Sequence, residues 1–326
     1  MQPVDAKAKT MLQPGEASAR TPVIDIVIVD FNAGAMLHDC LVSIAAHAPR
    51  QARIGRVVVV DNASQPPSAE QLNGLDLRIT LLRNEKNRGF AAACNQGARD
   101  SRADYLLFLN PDTELLPNSL DVPTAFLEQA AAREVGIVGV QLVDRQGHVS
   151  RTCSYHPQPM FFLNKALGLD RVSPRRFPSG AMLDWDHGST RRVDGIMGAF
   201  FFVRRSLFEL LGGFDERFFV YFEETDFGYR AERMGFSSMF LADAQVYHRG
   251  CGTTDRVRAH RLSYSMRSRM QYARTHFSPR MAAAVVVLTV AVEPLTRVAH
   301  ALARGAMSEV RETLRGYQML WWRQSG

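Results

Sequence analysis

The feature that most constrains the fold is an alternation of strand and helix patterns over residues 23–115. Strand patterns occur in "VIDIVIVD" (23–30), "RVVVVDNAS" (56–64), "RITLLRNEKNRGF" (78–90) and "YLLFLNPD" (105–112), with helical patterns between them in "AMLHDCLVSIAAH" (35–47) and "AAACNQGARDS" (91–101). Continuous β-branched runs are typical of strands that are covered on both faces. Strands interleaved with helices predict an α/β fold with a mostly parallel sheet and right-handed crossovers.

Polar side chains stand where these strands end. They are Asp30, Asp61, the loop 84–89, and the pair Asn110 and Asp112. In open parallel sheets ligands bind beyond the carboxyl ends of the strands, so these groups are expected to cluster on one rim. Asp and Asn also cap helices and make turns after strands, which explains any single position equally well. That four successive strands end in this way favours a ligand-binding rim.

The stretch "NPD" (110–112) directly follows the buried strand "YLLFL". Pro111 fixes one backbone angle, and residues two apart in an extended chain face the same way. The Asn110 amide and the Asp112 carboxylate therefore make an incomplete oxygen site, suited to Mg²⁺ or Mn²⁺ that takes its other ligands from phosphate and water. The chain has no GxxxxGK[ST] loop, and "DFNAGAM" (30–36) lacks GxGxxG, so a nucleoside diphosphate held through a metal fits best.

A second acidic cluster lies in "VYFEETDFGYR" (220–230), with acids at Glu223, Glu224 and Asp226. Acids favour helix N-termini, so a solvated helix start is one explanation. Against it, the aromatic run "FDERFFVYF" that leads into the acids is unusual for an exposed surface, and clustered carboxylates raise one another's pKa. A carboxylate of this kind can take the proton of an attacking hydroxyl, which contributes about 10²–10⁴-fold to a rate.

Taken in order, these motifs resemble a known family. "VIVDFN", "VVVVDNAS", "NRGFAAACNQG", "FLNPDTEL" and "GGFDERFFVYFEETDFGYRAERMGF" are similar to those of family 2 glycosyltransferases with the GT-A fold, and especially to bacterial rhamnosyltransferases of cell-surface polysaccharide synthesis. The resemblance covers roughly residues 23–250. It implies a Rossmann-like sheet flanked by helices, which a C-terminal helical extension follows.

The resemblance also implies donor-binding roles at the rim. Asp30, Phe31 and Asn32 would line the nucleotide pocket. Asp61 would hydrogen-bond the base. The floor beneath the ribose and diphosphate would be shaped by Asn87, Gly89 and Phe90, with Asn95 nearby.

The implied metal ligands are Asp112 and His248. Asp112 takes the metal-binding position of the family's Asp-X-Asp motif, in which Asn110 here replaces the first acid. His248, in "AQVYHRG" (244–250), matches a metal-binding histidine at a strand end, although a lone His after a strand is more often structural. The implied cofactor is Mg²⁺ or Mn²⁺.

The implied general base is Glu224, the second acid of its cluster. Glu223 stays open as the alternative, because Glu stands where many relatives carry Asp. Asp226 would orient the base or the acceptor.

The acceptor half offers three further candidates. Gly198 and Ala199 are small enough to let a sugar approach the backbone, and tight core packing explains them equally well. Trp185 could stack on a sugar ring, although Trp more often fills a core. It lies in a stretch rich in Pro, Gly and charge, residues 163–190, which predicts a mobile loop over the substrate.

The C-terminal part leaves the α/β pattern. Seven arginines and no acid lie from Arg256 to Arg280, and "MAAAVVVLTVAV" (281–292) follows. A basic helix before an apolar one fits a segment lying on an anionic membrane surface. A helical hairpin packed on the catalytic domain, or a homo-oligomer contact, fits equally well. The net charge of +6 suits an anionic substrate or membrane and does not require nucleic acid.

The sequence thus predicts four regions. They are a disordered lead-in (1–22), a nucleotide-sugar-binding half (23–115), an acceptor-binding and catalytic half (116–250), and a helical, membrane-associating or oligomerising segment (251–326). Four scattered cysteines without a CxxC pair indicate a reduced, cytoplasmic chain, and the lack of an apolar run at the N-terminus argues against an export signal.

The predicted function is that of an inverting, metal-dependent glycosyltransferase. The donor would be a dTDP- or UDP-linked sugar, with dTDP-rhamnose a candidate, and the acceptor a polyprenyl-diphosphate-linked surface glycan at the inner face of the plasma membrane. Two alternatives stay open. A sugar nucleotidyltransferase would carry a Gly-rich loop after the first strand, which "DFNAGAM" lacks. A non-catalytic nucleotide-sugar-binding module would not need the acids at 223–226.

Overall fold

A computed structural model describes residues 20–322 except 73, 76 and 251–257. Most of the predicted lead-in (1–22) and the start of the predicted C-terminal segment (251–257) lie outside these residues. The strands form a single sheet, whose spatial order is 79–83, 53–61, 23–30, 105–109, 200–204, 135–143, 237–248 and 113–115. Two short strands are added to it, 149–150 on 135–143 and 191–193 on 237–248. The sheet continues across the predicted division at residue 115.

The first half of the sheet is parallel, as the alternating pattern predicts. It consists of β1 (Val23–Asp30), β2 (Arg53–Asp61), β3 (Ile79–Arg83) and β4 (Tyr105–Leu109), which are connected in part by α1 (Ala35–Ala46) and α2 (Phe90–Ala98). In β1, alternate residues face opposite layers: Ile24, Ile26 and Ile28 pack with α1, while Val27 and Val29 pack with α2. Burying each such side chain contributes about 1.5–3 kcal/mol. This two-sided burial is why β1 is apolar almost throughout.

The second half is mixed. Its strands and helices are β5 (Thr113–Leu115), α3 (Asp121–Glu128), β6 (Val135–Val143), β7 (Val149–Ser150), α4 (Pro159–Ala166), α5 (Leu169–Val172), β8 (Arg191–Val193), β9 (Phe200–Arg204), α6 (Arg205–Leu210), α7 (Glu223–Arg233) and β10 (Ser237–His248). Strand β9 lies antiparallel between β4 and β6, and β5 lies antiparallel on β10. The predicted mobile loop 163–190 is wrong in its first part, because α4 and α5 occupy residues up to 172.

Four helical segments follow the sheet. They are α8 (Arg258–His276), α9 (Pro279–Val287), α10 (Glu293–Ala303) and α11 (Met307–Trp322), with a π-helical turn, Leu288–Val292, joining α9 to α10. The continuous helix Pro279–Ala303 is long and apolar enough to cross a membrane by length and composition alone. A buried ion pair between Glu293 and Arg269 of α8 holds this helix to the domain.

Candidate active site

The antiparallel pairing of β5 with β10 brings the two predicted metal ligands together. His248 is opposite Thr113, so its ring reaches the residue before β5. Nε2 of His248 lies 3.5 Å from Oδ2 of Asp112, and the Arg249 N–H donates to the Asp112 carbonyl at 3.0 Å. Two ligands of one ion, each about 2.0–2.2 Å from it, stand roughly 3–4 Å apart. The spacing and the oxygen and imidazole donors therefore fit a divalent cation.

The sheet also brings Asn110 next to the small residues of the acceptor half. The Asn110 N–H donates to the carbonyl of Ala199 at 3.0 Å, because β4 and β9 are paired up to this point. Beside Ala199, a methyl group added to Gly198 would lie 4.0 Å from the side chains of Glu224 and Phe90. One continuous patch thus connects the strand end at residue 110 with the second acidic cluster.

Glu223 and Glu224 form a coupled pair at the start of α7. Glu223 is buried and Glu224 half-buried. Burial raises the pKa of Glu223 well above its usual range, and the neighbouring Glu224 carboxylate adds to the rise. Burial also raises the pKa of Glu224 to about 6, while hydrogen bonds from the first backbone N–H groups of the helix and from Glu223 limit that rise. Glu224 therefore ionises before Glu223 and is charged near neutral pH, while Glu223 holds its proton more tightly.

Each of these two glutamates has one carboxylate oxygen without a hydrogen-bond partner among the described residues. Both of these atoms, Oε2 of Glu223 and Oε2 of Glu224, are buried. Buried oxygens usually have a partner, so these two mark a place where a polar ligand is expected to bind.

Asp226 serves a different purpose from its neighbours. It is fully buried, and its two oxygens accept hydrogen bonds at 2.7 Å from Arg230 Nε and from His276 Nε2, the latter at the end of α8. Arg230 also donates to the carbonyls of Leu211 and Gly213. The carboxylate therefore joins α7, the loop before it and the C-terminal helices.

Gly89 and Phe90 lie against the loop that leads into α7. The Phe90 N–H donates to the Phe219 carbonyl at 2.6 Å. Gly89 has φ of 88°, and a Cβ there would come within 2.5 Å of the same oxygen. Glycine is thus required at 89 both by its backbone angle and by the close approach of the Phe219 backbone.

Asp30 and Asp61 lie beneath the rim, where both hold the loop that follows β2. Asp61 accepts the backbone N–H groups of Ser64 and Ser68, and Asp30 accepts the hydroxyls of the same two serines. Above them, Phe31 is 46% exposed, and exposed Asn32 accepts the N–H of residue 65. The pocket surface here therefore consists of Phe31, Asn32 and the loop, and the two acids set its shape.

Asn62 is a central residue of the rim that the sequence reasoning missed. Its amide donates to Asn87 Oδ1 at 2.9 Å and to the Gly89 carbonyl at 3.2 Å, and its Oδ1 accepts from Asn84 and from the Arg88 N–H. The only signal was its position directly after Asp61, in "VVVVDNAS". Asn87 in turn accepts the Gly89 N–H, so this network fixes the loop 84–89.

Asn95 and Trp185 are committed to protein contacts. Asn95 pairs with both backbone groups of Phe214, at 2.8 and 2.9 Å, and so fixes the loop before α7. Trp185 stacks on His187 with ring centres 4.1 Å apart, and the Arg191 guanidinium lies over its ring. Neither side chain is brought to the patch around Gly198 by any contact among the described residues.

A cavity of about 240 Å³ opens beside the turn that leads into α7. Tyr221 lines it together with Arg261, Leu262 and Ser265 of α8. The cavity thus has a cationic side chain, that of Arg261, near the start of α7. Arg261 belongs to a segment that follows the sheet in the chain.

Comparison of the sequence with known proteins shows which family the chain belongs to. Residues 25–211, more than half of the chain, match the family described as Glycosyl transferase family 2. N-acetylglucosaminyl-diphospho-decaprenol L-rhamnosyltransferase of Mycobacterium tuberculosis is 28% identical over 257 residues, which cover 74% of this chain and 81% of the relative. The O-antigen biosynthesis protein RfbC of Myxococcus xanthus is 27% identical over 236 residues, 70% of this chain and 17% of that protein.

Solved structures give a likeness of fold. The mannosyltransferase PcManGT from Pyrobaculum calidifontis, in complex with GDP-Man and Mn²⁺, superimposes with a TM-score of 0.54 at 18% identity, covering 98% of this chain and 93% of that one. The likeness therefore extends over the C-terminal helices as well as the sheet.

Proposed function

Because this chain belongs to glycosyltransferase family 2 and has the predicted GT-A fold, we propose that it is an inverting, metal-dependent enzyme that moves a sugar from a nucleoside diphosphate to a hydroxyl of a surface glycan. Membership of the family makes it a glycosyltransferase; the metal, donor, acceptor and stereochemistry are the proposal. The observation that carries it is the patch from Asn110 through Gly198 to Glu224, with the Asp112–His248 pair at its sheet end.

The metal end would bind the leaving group. Asp112 and His248 would hold Mg²⁺ or Mn²⁺, and such an ion neutralises the charge that develops on a departing nucleoside diphosphate. Asn110, beside Asp112, would contact the donor through its amide. The rim around Asn62, Phe31 and Asn32 would hold the nucleoside, shaped from below by Asp30 and Asp61.

The acidic end would activate the acceptor. Glu224 is ionised near neutral pH and half-buried, so it is the better base of the pair, while Glu223 holds its proton more tightly and hydrogen-bonds Glu224. One base taking the proton of the acceptor hydroxyl, as that oxygen attacks the anomeric carbon, makes a single displacement. A single displacement inverts the anomeric centre. Gly198 would leave room for the two sugars between Glu224 and the metal, whereas Ala199 is packed in the core and does not face this space.

The relatives suggest the substrate class. The Mycobacterium tuberculosis relative is named for transfer of L-rhamnose to a polyprenyl-diphosphate-linked sugar. We assign a dTDP-linked deoxysugar such as dTDP-rhamnose as the first donor to test, with UDP-sugars second. The cavity beside Tyr221 and Arg261 would accommodate the anionic part of a lipid-linked acceptor. Such an acceptor places the enzyme at the cytoplasmic face of the membrane.

Sugar transfer itself tests the proposal. Purified protein would be incubated with a panel of nucleoside-diphosphate sugars, Mg²⁺ or Mn²⁺, and a lipid-linked acceptor, and both nucleotide release and glycan product would be measured. Transfer that falls about 10²–10⁴-fold in Glu224→Gln supports Glu224 as the base. Unchanged transfer in that variant would remove the base assignment. In a second incubation with sugar 1-phosphate and a nucleoside triphosphate, formation of a nucleotide sugar with release of diphosphate would favour a nucleotidyltransferase. Donor binding without any transfer would favour a binding module.

A further inference from the structure

The segment that carries the acids has an unusual backbone. Tyr221 and Phe222, the two residues before α7, both have left-handed φ angles, 68° and 71°. Bulky non-glycine residues rarely adopt this region, and they stay in it only where their surroundings hold them there. The direction in which α7 starts, and with it the position of Glu224, therefore depends on whatever holds this turn.

Helix α8 supplies those contacts on one side. Ser268 Oγ donates to the Val220 carbonyl at 2.7 Å. Tyr264 stacks on Phe219 with ring centres 5.0 Å apart, and Tyr272 contacts Phe222 at 5.6 Å. The three residues on α8 lie one or two turns apart, so one face of a single helix supports the whole turn.

The end of α8 also reaches α7 itself. His276 Nε2 lies 2.7 Å from Asp226 Oδ1, and the His276 side chain is 7% exposed. The other Asp226 oxygen accepts from Arg230, one turn further along α7. Asp226 is two residues from Glu224, so a hydrogen bond that fixes Asp226 also fixes the first turn of the helix that carries Glu224.

We infer that α8, which lies beyond the matched family region, is part of the catalytic apparatus, and that His276 is a positioning residue for Glu224. It acts through Asp226 and does not itself contact the substrate. This inference rests on the proposed role of Glu224 as the base. Misplacing a catalytic group by about 1 Å can cost 10²-fold in rate, so a contact that fixes the first turn of α7 should affect kcat more than donor binding.

The test compares two substitutions at the same position. His276→Gln keeps an amide donor near the place of Nε2, whereas His276→Leu keeps only the bulk. We expect kcat for sugar transfer to fall about 10–100-fold in His276→Leu and to recover at least in part in His276→Gln, with the donor Kd within about twofold of wild type in both. Arg274→Ala, at an exposed position of the same helix, is the control and should leave kcat unchanged.

A double-mutant cycle separates positioning from general stability. If His276 acts through Glu224, the His276→Leu effect on kcat should largely disappear in a Glu224→Gln background, whereas independent effects would multiply. Multiplying effects, or a donor Kd that weakens as much as kcat falls, would overturn the inference. If Glu224→Gln alone retains wild-type kcat, the base assignment fails instead, and the two failures are thus distinct.

Ser268→Ala covers the case in which His276→Leu does not fold. This variant removes one hydroxyl and leaves the helix otherwise intact. It should lower kcat severalfold at unchanged donor Kd, since the Val220 carbonyl loses its partner. Wild-type kcat in both Ser268→Ala and any folded His276 variant would show that α8 does not position the base.

Discussion

At the residue scale, the pair Glu223 and Glu224 shows how two neighbouring carboxyl groups acquire different roles. Burial raises the pKa of both carboxyl groups. Because the two groups are adjacent, ionisation of one makes ionisation of the other less favourable. The more accessible Glu224 takes the charge. The sequence predicted the cluster, but it could not decide between the two glutamates, because the choice depends on which side chain the turn at 221–222 buries.

The pH dependence of sugar transfer should reflect this ionised glutamate. A base works only when it is deprotonated, so kcat should rise with pH through about 6 and level off above it. The measurement is a pH–rate profile under saturating donor and metal, in which Glu224→Gln should lack this rise. A flat wild-type profile between pH 5 and 8 would contradict the assignment.

Glu223 should make the fold less stable as pH rises. Its pKa is raised in the folded protein, so its stabilising contribution is present below the unfolded pKa of about 4.3 and is lost as pH rises towards the folded pKa. Glu223→Gln cannot lose a proton, so its free energy of unfolding should fall less than that of wild type between pH 5 and pH 8. Urea denaturation at the two pH values measures this. An equal fall in both proteins would show that Glu223 does not keep its proton.

The rim residues show where sequence reasoning reaches its limit. The strand ends predicted that Asp30 and Asp61 lie side by side, which the pairing of β1 with β2 shows, but both carboxylates are buried beneath the rim. Their partners, Ser64 and Ser68, depend on the path of the loop after β2, which no local pattern determines. Asn62 was missed for the same reason, because its four hydrogen bonds join two loops that are separate in sequence.

At the element scale, the first half of the sheet could be predicted because β1, β4 and the second half of β2 are buried on both faces and α1 has a clear apolar stripe. The position of β9, antiparallel to β4, could not be predicted, because an apolar run such as "FFFVR" does not show whether its strand pairs parallel or antiparallel. Helices α4 and α5 were missed because Pro and Gly around them resemble a loop. The pairing of β5 with β10, which brings Asp112 to His248, likewise has no local signal.

The contact between the loop 84–89 and the turn before α7 can be tested with glycine substitutions. Gly89→Ala meets both a left-handed backbone and the Phe219 carbonyl, whereas Gly147→Ala meets a left-handed backbone in open space. We expect about 1–2 kcal/mol of destabilisation for Gly147→Ala. Gly89→Ala should lose a further amount of about 1–3 kcal/mol from crowding.

The affinity for the donor should also differ between Gly89→Ala and Gly147→Ala. Chemical denaturation gives the free energy of unfolding, and calorimetry gives the donor Kd. Only Gly89→Ala should weaken donor binding, because only it displaces the loop at the rim. Equal stability losses with equal donor affinity would show that the close approach at Gly89 has no functional role.

At the scale of the whole molecule, the C-terminal helices combine a supporting face with an exposed apolar face. On the buried side, Glu293 of the helix Pro279–Ala303 pairs with Arg269 of α8. On the other side of the same helix, Val287 and Leu295 are 59% and 70% exposed. We propose that this outer face lies on an anionic membrane surface, where a lipid-linked acceptor is found. The buried Glu293–Arg269 pair favours a helix that stays on the domain and does not cross the bilayer.

Vesicle binding tests the membrane proposal. Val287→Glu and Leu295→Glu should each reduce co-sedimentation with vesicles of anionic phospholipid, because a charge on this face opposes insertion of its apolar side chains. Val42→Glu changes an apolar residue of α1 that is 43% exposed, and this variant should bind like wild type. Unchanged sedimentation of all three, or a wild-type dimer that dissociates in the Val287 and Leu295 variants, would identify this face as a contact between copies.

Calorimetry of donor binding with and without metal tests most directly whether Asp112 and His248 form a metal-dependent donor site. We predict that one nucleoside-diphosphate sugar binds in Mg²⁺ or Mn²⁺, that EDTA weakens this binding, and that Asp112→Ala and His248→Ala abolish the metal dependence. Asp243→Ala, an exposed acid on the same strand as His248, should bind as wild type does. Donor binding that is indifferent to metal and to both substitutions, or no binding of any nucleotide sugar, would contradict a metal-dependent donor site at Asp112 and His248.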